Sequence, residues 1–455
     1  MDAVKRSTAI LFATSLLVSC TAYHERPLDP AGLAATFHAR TLRDAPIVNA
    51  FAATKRPLPT DTWTSGDFWL VASCCHPELV ASRAEVAAAA AAIAEAEQRE
   101  NPKLSLLPLR VLNADPGVSP WITGGSLEFP LDLFGKRSAT VAIAVAEHVR
   151  AGALAAGKHW QLFRGVHVAC CRCWYAVSDA AVTEADSRAR RRLVDLLTTR
   201  VRNGYAAPAD FTLAQTEFAR AGIEAAAAAA EAEQARAALA TAIGLPKTAL
   251  AGVAIAEPSV PMNNLPDLLY RGVLGRGDLQ AAIADYAIAD ARLRLAIAAQ
   301  YPDLILGPGY DVDQGSRRVQ LGLSLTLPLW HDNGAGIERA EADRTAAAHR
   351  FDAVQTAAFQ SVDAAKSAVA AAQRTSAATA AWSSSLEAQA KRATAFVEAG
   401  LDDQLAAILA QSVLLSAQRA LLRSHRDAAL AQIAWETELG PHGPAEAAAR
   451  GSTNP

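Results

Sequence analysis

Between Arg317 and Leu329 the chain reads RRVQLGLSLTLPL, so Val319, Leu321, Leu323, Leu325 and Leu327 fall on one side of an extended chain and Gln320, Gly322, Ser324 and Thr326 on the other. This period of two predicts a β-strand with one greasy and one wet face. Alternation alone suits a strand of a soluble sandwich as well as a strand of a membrane barrel. The residues after the strand separate the two. Pro328 stops it, because proline cannot donate to a ladder, and from Ala335 to Glu398 the chain is alanine-rich with charges at helical spacing. A helix of roughly 60 residues is on the order of 90 Å long at 1.5 Å rise per residue. Few compact domains contain such a rod.

The same order of patterns occurs earlier. Helical spacing runs from Glu78 to Glu100 and closes at Asn101-Pro102, since the residue before proline disfavours the helical region. Two extended pieces come next, Lys103 to Leu112 and Trp121 to Leu131, separated by the turn-forming segment Asn113 to Pro120, and the second alternates up to Pro130. A rod from Phe134-Gly135-Lys136-Arg137 to Arg202 breaks at Asn203-Gly204, and a return helix from Ala209 to Ile243 stops at Gly244-Leu245-Pro246. Residues 247–276 read as a linker or small equatorial element. A helix from Asp278 to Gln300, strands from Asp303 to Tyr310 and Arg317 to Leu327, the rod to Glu398, a break at Gly400 and a return helix from Asp402 to Leu439 repeat the plan. Asn101-Pro102 matches Tyr301-Pro302, Pro130 matches Pro328, Gly204 matches Gly400, Ala214-Gln215 matches Ala410-Gln411 and Gly244 matches Gly440, with offsets between 196 and 200 residues. The expectation is a tandem duplication, 78–246 and 277–440, flanked by an irregular arm (20–77) and a loose tail (441–455).

Composition changes the picture in one respect. The chain is 51% hydrophobic but only 6% aromatic, and alanine supplies much of the difference. Alanine favours helix yet buries little area, so long helices lying side by side are expected rather than a thick core. A formal net charge of −3 argues against a nucleic-acid partner, which would require a basic face.

At the amino terminus Lys5 and Arg6 precede an apolar run from Ala9 to Val18, the layout of an export signal and too short to span a bilayer as a helix. The sequence Leu17-Val18-Ser19-Cys20 resembles the bacterial lipobox. That resemblance implies removal of residues 1–19 and a palmitate-bearing Cys20 as the new first residue, with Thr21 implying sorting to the outer membrane. An ordinary cleaved signal, or an uncleaved anchor, with a chance cysteine is the alternative, and each reading exports the protein.

Four amphipathic strands in one chain cannot close a barrel, and an open edge in lipid leaves backbone groups unsatisfied. Several chains must therefore share one. Membrane barrels begin at about eight strands, so two chains reach the minimum and three give twelve. Rods outside the bilayer must bury their apolar stripes against one another, which predicts a coiled assembly.

The duplicated plan, the joint Phe129-Pro130-Leu131-Asp132-Leu133-Phe134-Gly135-Lys136-Arg137 and the paired segments Gly204 to Gln215 and Gly400 to Gln411 resemble the TolC-type outer-membrane efflux factors over roughly residues 78–440. The Gly-Lys-Arg joint and the lipobox look most like the branch serving cobalt-zinc-cadmium and copper exporters. The resemblance implies a mixed α and β membrane protein. In it, four transmembrane strands per chain would contribute to a trimeric twelve-stranded barrel, continued by antiparallel coiled-coil helices into a periplasmic α-helical barrel. It further implies a homotrimer seated in outer-membrane lipid that docks on a periplasmic adaptor and an inner-membrane RND pump, conducts passively and performs no chemistry. Ducts for organic compounds or for type I protein secretion share the plan. A lipid-anchored envelope scaffold would share the rods but has no use for alternating strands.

In that family the turns after Gly204 and Gly400 form the inner tip, where acidic residues often ring the aperture. Asp210 stands six residues after the first glycine, Ala406 and Leu409 replace the acids expected in the second half, and Asp402 and Asp403 stand as alternative ring members or as helix-capping carboxylates. Cys74-Cys75-His76 and His167 with Cys170, Cys171 and Cys173 admit three readings: packing thiols, a disulfide between the clusters, or a soft-metal site. Residues in the rod one apart point about 100° away from each other, which favours packing. Asp311-Val312-Asp313-Gln314-Gly315 has the beginning of a calcium loop without the closing glutamate and reads as a solvated hairpin tip. No HExxH, no phosphate-binding GxxxxGK[ST] (Gly152 to Lys158 has the spacing but His159 follows) and no Gly-x-Ser-x-Gly motif is present, so neither an enzyme, a cofactor nor a resident metal is expected.

Overall fold

The computed structural model describes residues 23–113, 117, 119–258, 269–313, 316–327 and 329–440. The expected signal segment, Cys20, Pro328, the hairpin tip at Gln314-Gly315 and the tail from Pro441 lie outside the described residues.

The stretch expected to be an irregular arm is helical instead. It holds α1 (Pro30–Ala39), α2 (Ala45–Ala53), the short β1 (Thr62–Trp63) and α3 (Ser65–Cys75). These helices are too short to accumulate a readable period, and local caps start them. The Asp29 side chain accepts from the Gly32 N–H, while Thr64 and Asp67 form a reciprocal capping box. Tertiary packing then holds them, since Ile47, Phe51, Phe68 and Val71 are fully buried with Val166, Cys170, Leu239 and Ile243.

The first half continues with α4 (Pro77–Glu97), β2 (Lys103–Leu106), β3 (Leu109–Arg110), β4 (Trp121–Leu131), α5 (Lys136–Arg202) and α6 (Pro208–Ile243). The strand expected over Lys103 to Leu112 is split at Leu107-Pro108; the Leu107 N–H still reaches the Gly124 carbonyl, so β2 and β3 both lie on β4 in one register. β4 also runs one residue past Pro130, which pairs with Ile305. After β5 (Ala254–Ile255), parallel to β1, come α7 (Leu269–Leu274), α8 (Gly277–Ala298), β6 (Leu304–Asp313), β7 (Ser316–Leu325), α9 (Gly334–Glu398) and α10 (Gln404–Glu438). β6 extends three residues beyond the expected Tyr310, because Asp311, Val312 and Asp313 each find a partner on β7.

The rods are flanked by half-length helices stacked end to end. Along α5, α4 and α8 pack on the half nearest the sheet, α6 and α10 pack further along, and α9 packs on α8 and α10. Ion pairs Arg150–Asp285 and Arg292–Glu147 fix α8 antiparallel to α5. At one stacking point Gly244, with φ +74°, ends α6 against His76 and Pro77 at the start of α4. At the other, a Cβ on Gly272 would lie 2.3 Å from the Leu439 carbonyl oxygen, so only glycine admits the end of α10. Arg276 donates to Glu438 there at 2.7 Å, and Arg164 reaches the same carboxylate at 3.1 Å. Gly277 lets α8 start directly on the α5 backbone, since its Cβ would sit 2.6 Å from the Ala153 carbonyl oxygen.

Candidate conduit wall and tip

Both faces of the sheet follow from its register. The strands lie in the order β2, β4, β6, β7, antiparallel throughout, with β3 beside β2 on β4. Leu104 faces Leu127, Phe129 faces Leu306, Leu131 faces Leu304, and Leu306, Leu304 and Tyr310 face Leu323, Leu325 and Val319. The opposite face carries Lys103 with Glu128, Ser105 with Ser126, Gly124 with Asp311, Gly309 with Gln320, Gly307 with Gly322 and Asp311 with Arg318. One side of the sheet is thus mainly apolar, interrupted by Thr123, Gly125 and Arg317, and the other mainly polar or glycine-lined, apart from Leu109, Ile122, Pro130 and Ile305. The apolar side is uncovered: Val319 is 86% exposed, Leu321 72% and Leu106 68%. Soluble monomers rarely leave a continuous patch of this kind bare. Among the described residues the outer edges of β7 and of β2 are unpaired, a condition lipid does not tolerate unless another strand completes the ladder.

Each long sheet-to-rod passage is a tight joint. Before α5, the Asp132 carboxylate accepts from the Lys136 and Arg137 N–H groups at 3.0 and 2.8 Å, and Gly135 takes φ +78°. Burial pushes this carboxyl up, but those backbone donors outweigh it and hold it below its ordinary value. Before α9, Asn333 adopts φ +62° and donates to the Ala296 carbonyl at 2.9 Å, while Asp332 accepts from the Gly334 N–H. Phe134 stacks on Tyr301 at 4.6 Å, and Lys136 pairs with Asp303 at 2.7 Å, so the two halves are clamped where the sheet meets the rods. Pro130, expected to mark the first joint, lies just inside the strand. The capping signal at Asp132, an acid four residues before the first helical charge, was available in the sequence.

At the far end, α5 and α9 close with the same motif. The Gly204 and Tyr205 N–H groups return to Val201 and Arg200, and those of Gly400 and Leu401 to Val397 and Phe396, with both glycines at positive φ. Among the expected tip carboxylates, Asp210 stands exposed in the first turn of α6. Asp402 accepts from the Asp403 N–H at 2.7 Å. Asp403 caps α10 by accepting from the Leu405 N–H at 3.1 Å and forms a two-pronged ion pair with Arg200. Arg200 holds the Asp403 carboxyl down to about 2. Arg200, missed in the sequence, is 203 positions away and gives no local signal. Behind the latch, Leu193, Leu197 and Ala214 form a small core with Phe211, Leu405 and Ile408.

The cysteines are all free among the described residues. Cys170 and Cys173 belong to the core shared with α2 and α3, and Cys171 packs with Tyr175, Ala429 and Ile433. Burial pushes the Cys170 and Cys171 thiols up to about 12, as suits packing residues. No group of three or more His, Cys, Asp or Glu side chains placed to hold a metal ion occurs among the described residues.

Comparison with known proteins agrees with this architecture. The cobalt-zinc-cadmium resistance protein CzcC of Cupriavidus metallidurans is 26% identical over 241 residues, which cover 51% of this chain and 56% of that protein, so the likeness spans little more than half of the relative. A solved structure of CusC, described in terms of folding and transmembrane channel formation, superposes with a TM-score of 0.69 at 18% identity, covering 83% of this chain and 92% of the other. The outer membrane protein VceC of Vibrio cholerae superposes at 0.68 with 22% identity, covering 83% and 96%. The family model described as outer membrane efflux protein matches residues 71–245 and again 268–440. With sheet, joints, rods and tips all inside those two spans, the chain belongs to the outer membrane efflux protein family.

Proposed function

We propose that this protein is the outer-membrane duct of an efflux assembly, and that three copies enclose the conduit. One observation carries the reading: a largely apolar, exposed face extends across β2, β4, β6 and β7 of a sheet whose two edges are open. Lipid covers such a face, and only further strands satisfy such edges. Four rungs per chain make twelve in a trimer, within the range of membrane barrels. The rods, about 100 Å long at 67 and 65 residues, continue the wall into the periplasm. The chain moves its cargo passively; an adaptor at the tips and a proton-driven inner-membrane pump supply direction and energy. Two family matches in one chain support a tandem duplication, so that each copy contributes two similar halves to the ring. Cys20 is the expected lipid anchor.

The likeness to CzcC favours heavy-metal cations as cargo, and Asp210 near the tip suits a cation path. Purified protein added to a planar bilayer is expected to give stable single-channel conductance and to run as a trimer without denaturation. A water-soluble monomer that conducts nothing would overturn the duct and leave the scaffold reading. Deleting the gene is expected to sensitise cells to zinc, cobalt, cadmium or copper; sensitivity confined to dyes and antibiotics would reassign the cargo to organic compounds. Radiolabelled palmitate should enter the wild-type chain and not Cys20→Ser.

A further inference from the structure

Away from wall and tip, one pair of nucleophilic side chains has no assigned part. Cys74 and Cys75 end α3, both half-buried, with their Sγ atoms 2.8 Å apart and the Cys74 Sγ 3.1 Å from the Val71 carbonyl oxygen. Adjacent Cα atoms stand about 3.8 Å apart across a trans peptide, short of the roughly 4.4–6.8 Å that a relaxed disulfide spans. The two thiols therefore face each other without an unstrained way to bond. The remaining described cysteines, Cys170, Cys171 and Cys173, are buried on α5 and unpaired, and offer no exchange partner at the surface. A facing dithiol at a helix end results.

We propose that Cys74 and Cys75 form a chelating site for a thiophilic ion of the trivalent arsenic class. Soft thiolates select such ions over calcium or magnesium. With bonds near the ~2.3 Å that thiolate sulfur makes to zinc, a bent chelate with an angle of about 90–100° needs its sulfurs roughly 3.3–3.5 Å apart. From the present 2.8 Å the pair must open by well under an ångström. A linear ion would need about 4.6 Å by the same bond length, which two adjacent residues reach only by turning away from each other. With no third donor grouped there among the described residues, the ion keeps its other position for an aryl group, hydroxide or a small ligand. For an arsenic(III) oxide the step is a condensation: two As–S bonds form, the As–O bonds break, and both thiol protons leave with the oxygen as water, arsenic remaining trivalent. The site is independent of the duct reading, since it lies in the helices packed outside the repeated strand-and-rod plan.

Phenylarsine oxide tests it on the full-length protein, reduced, freed of reductant and kept under nitrogen. Intact mass is expected to show one phenylarsenic per chain that survives excess monothiol and is released by dimercaptopropanol. Peptide mapping should show Cys74 and Cys75 shielded from alkylation in the adduct. Cys74→Ser and Cys75→Ser should each weaken retention at least about tenfold, a loss of ~1.4 kcal/mol, while Cys171→Ser keeps it; far-UV circular dichroism checks that each variant remains folded, and the shielding map on the wild-type chain needs no variant. An unmodified chain whose two thiols alkylate freely, an adduct mapped to Cys170, Cys171 or Cys173, or a pair recovered two hydrogens lighter as a disulfide would each overturn the proposal.

Discussion

The two rods have nearly the same length and end in the same glycine motif, yet they live in different surroundings. α5 buries Val166, Cys170, Cys171, Cys173, Tyr175, Leu193 and Leu197, because α6, α8, α10, α4 and α3 all pack on it. α9 buries mainly alanines, with Val362 and Val369, and leaves Trp382 and Phe396 about half exposed. α5 is the centre of the helical layer and α9 is one margin of it; α6, with Leu213 and Ile223 more than 60% exposed, is the other. In the proposed trimer the difference locates the surfaces that a neighbouring copy would cover: margin would meet margin, as open strand edge would meet open strand edge above. Stability of the single chain resides in α5, and on the proposed trimer assembly would reside in α9 and α6.

The largest test of that contrast is Leu197→Ala against Trp382→Ala. Leu197 is 5% exposed, so truncation should cost about 2–5 kcal/mol in denaturant unfolding. Trp382→Ala should change the unfolding of the separated chain by no more than ~0.5 kcal/mol while lowering the fraction of trimer in detergent. Equal losses of chain stability would break the comparison. Next comes Gly277→Val, which drives a side chain into the α5 backbone and should cost about 1–3 kcal/mol, read as a lower melting temperature of the helical signal. The two tip glycines sharpen the point from the other side. Gly204 and Gly400 share φ values of +78° and +72° with open space around them, so Gly204→Ala and Gly400→Ala should each cost on the order of 1 kcal/mol and by similar amounts. A marked inequality in their melting temperatures would show that the tips are not equivalent.

Much of this was legible in the sequence because its strongest signals are local and periodic. The rods, their return helices and the alternating face of β7 follow from spacing, and Gly204, Gly244, Gly400 and Gly440 end helices where their type requires. The arm from residue 23 onward was not legible, since α1, α2 and α3 are defined by caps and by Phe51 and Phe68 docking on α5 and α6, contacts with no sequence period. The candidate site divides in the same way. Gly204, Gly400, Asp402 and Asp403 were visible as turn and cap residues, whereas Arg200, which decides what Asp403 does, belongs to the other half of the chain.

That pair gives the smallest and most particular prediction. Arg200 joins the last turn of α5 to the first turn of α10, so it bridges the centre of the layer to the helix beside its margin at the end where a conduit would open. An exposed ion pair contributes roughly 0–1 kcal/mol, so Arg200→Gln should hardly move global unfolding. Its effect should be local: greater accessibility of the tip, read as higher conductance in a planar bilayer or faster labelling of a cysteine placed at Tyr205. The pH dependence carries a definite sign. Asp403 is held at about 2 against an ordinary 3.8, a depressed carboxyl, so the latch is fully present above 3.8 and is lost as the pH falls from there through about 2. Wild-type conductance should therefore rise over that acid window, and Arg200→Gln, already unlatched, should show no such rise. A variant that keeps the wild-type acid response would place the opening elsewhere, and Asp210, exposed on α6 at the same end, would be the next carboxylate to replace.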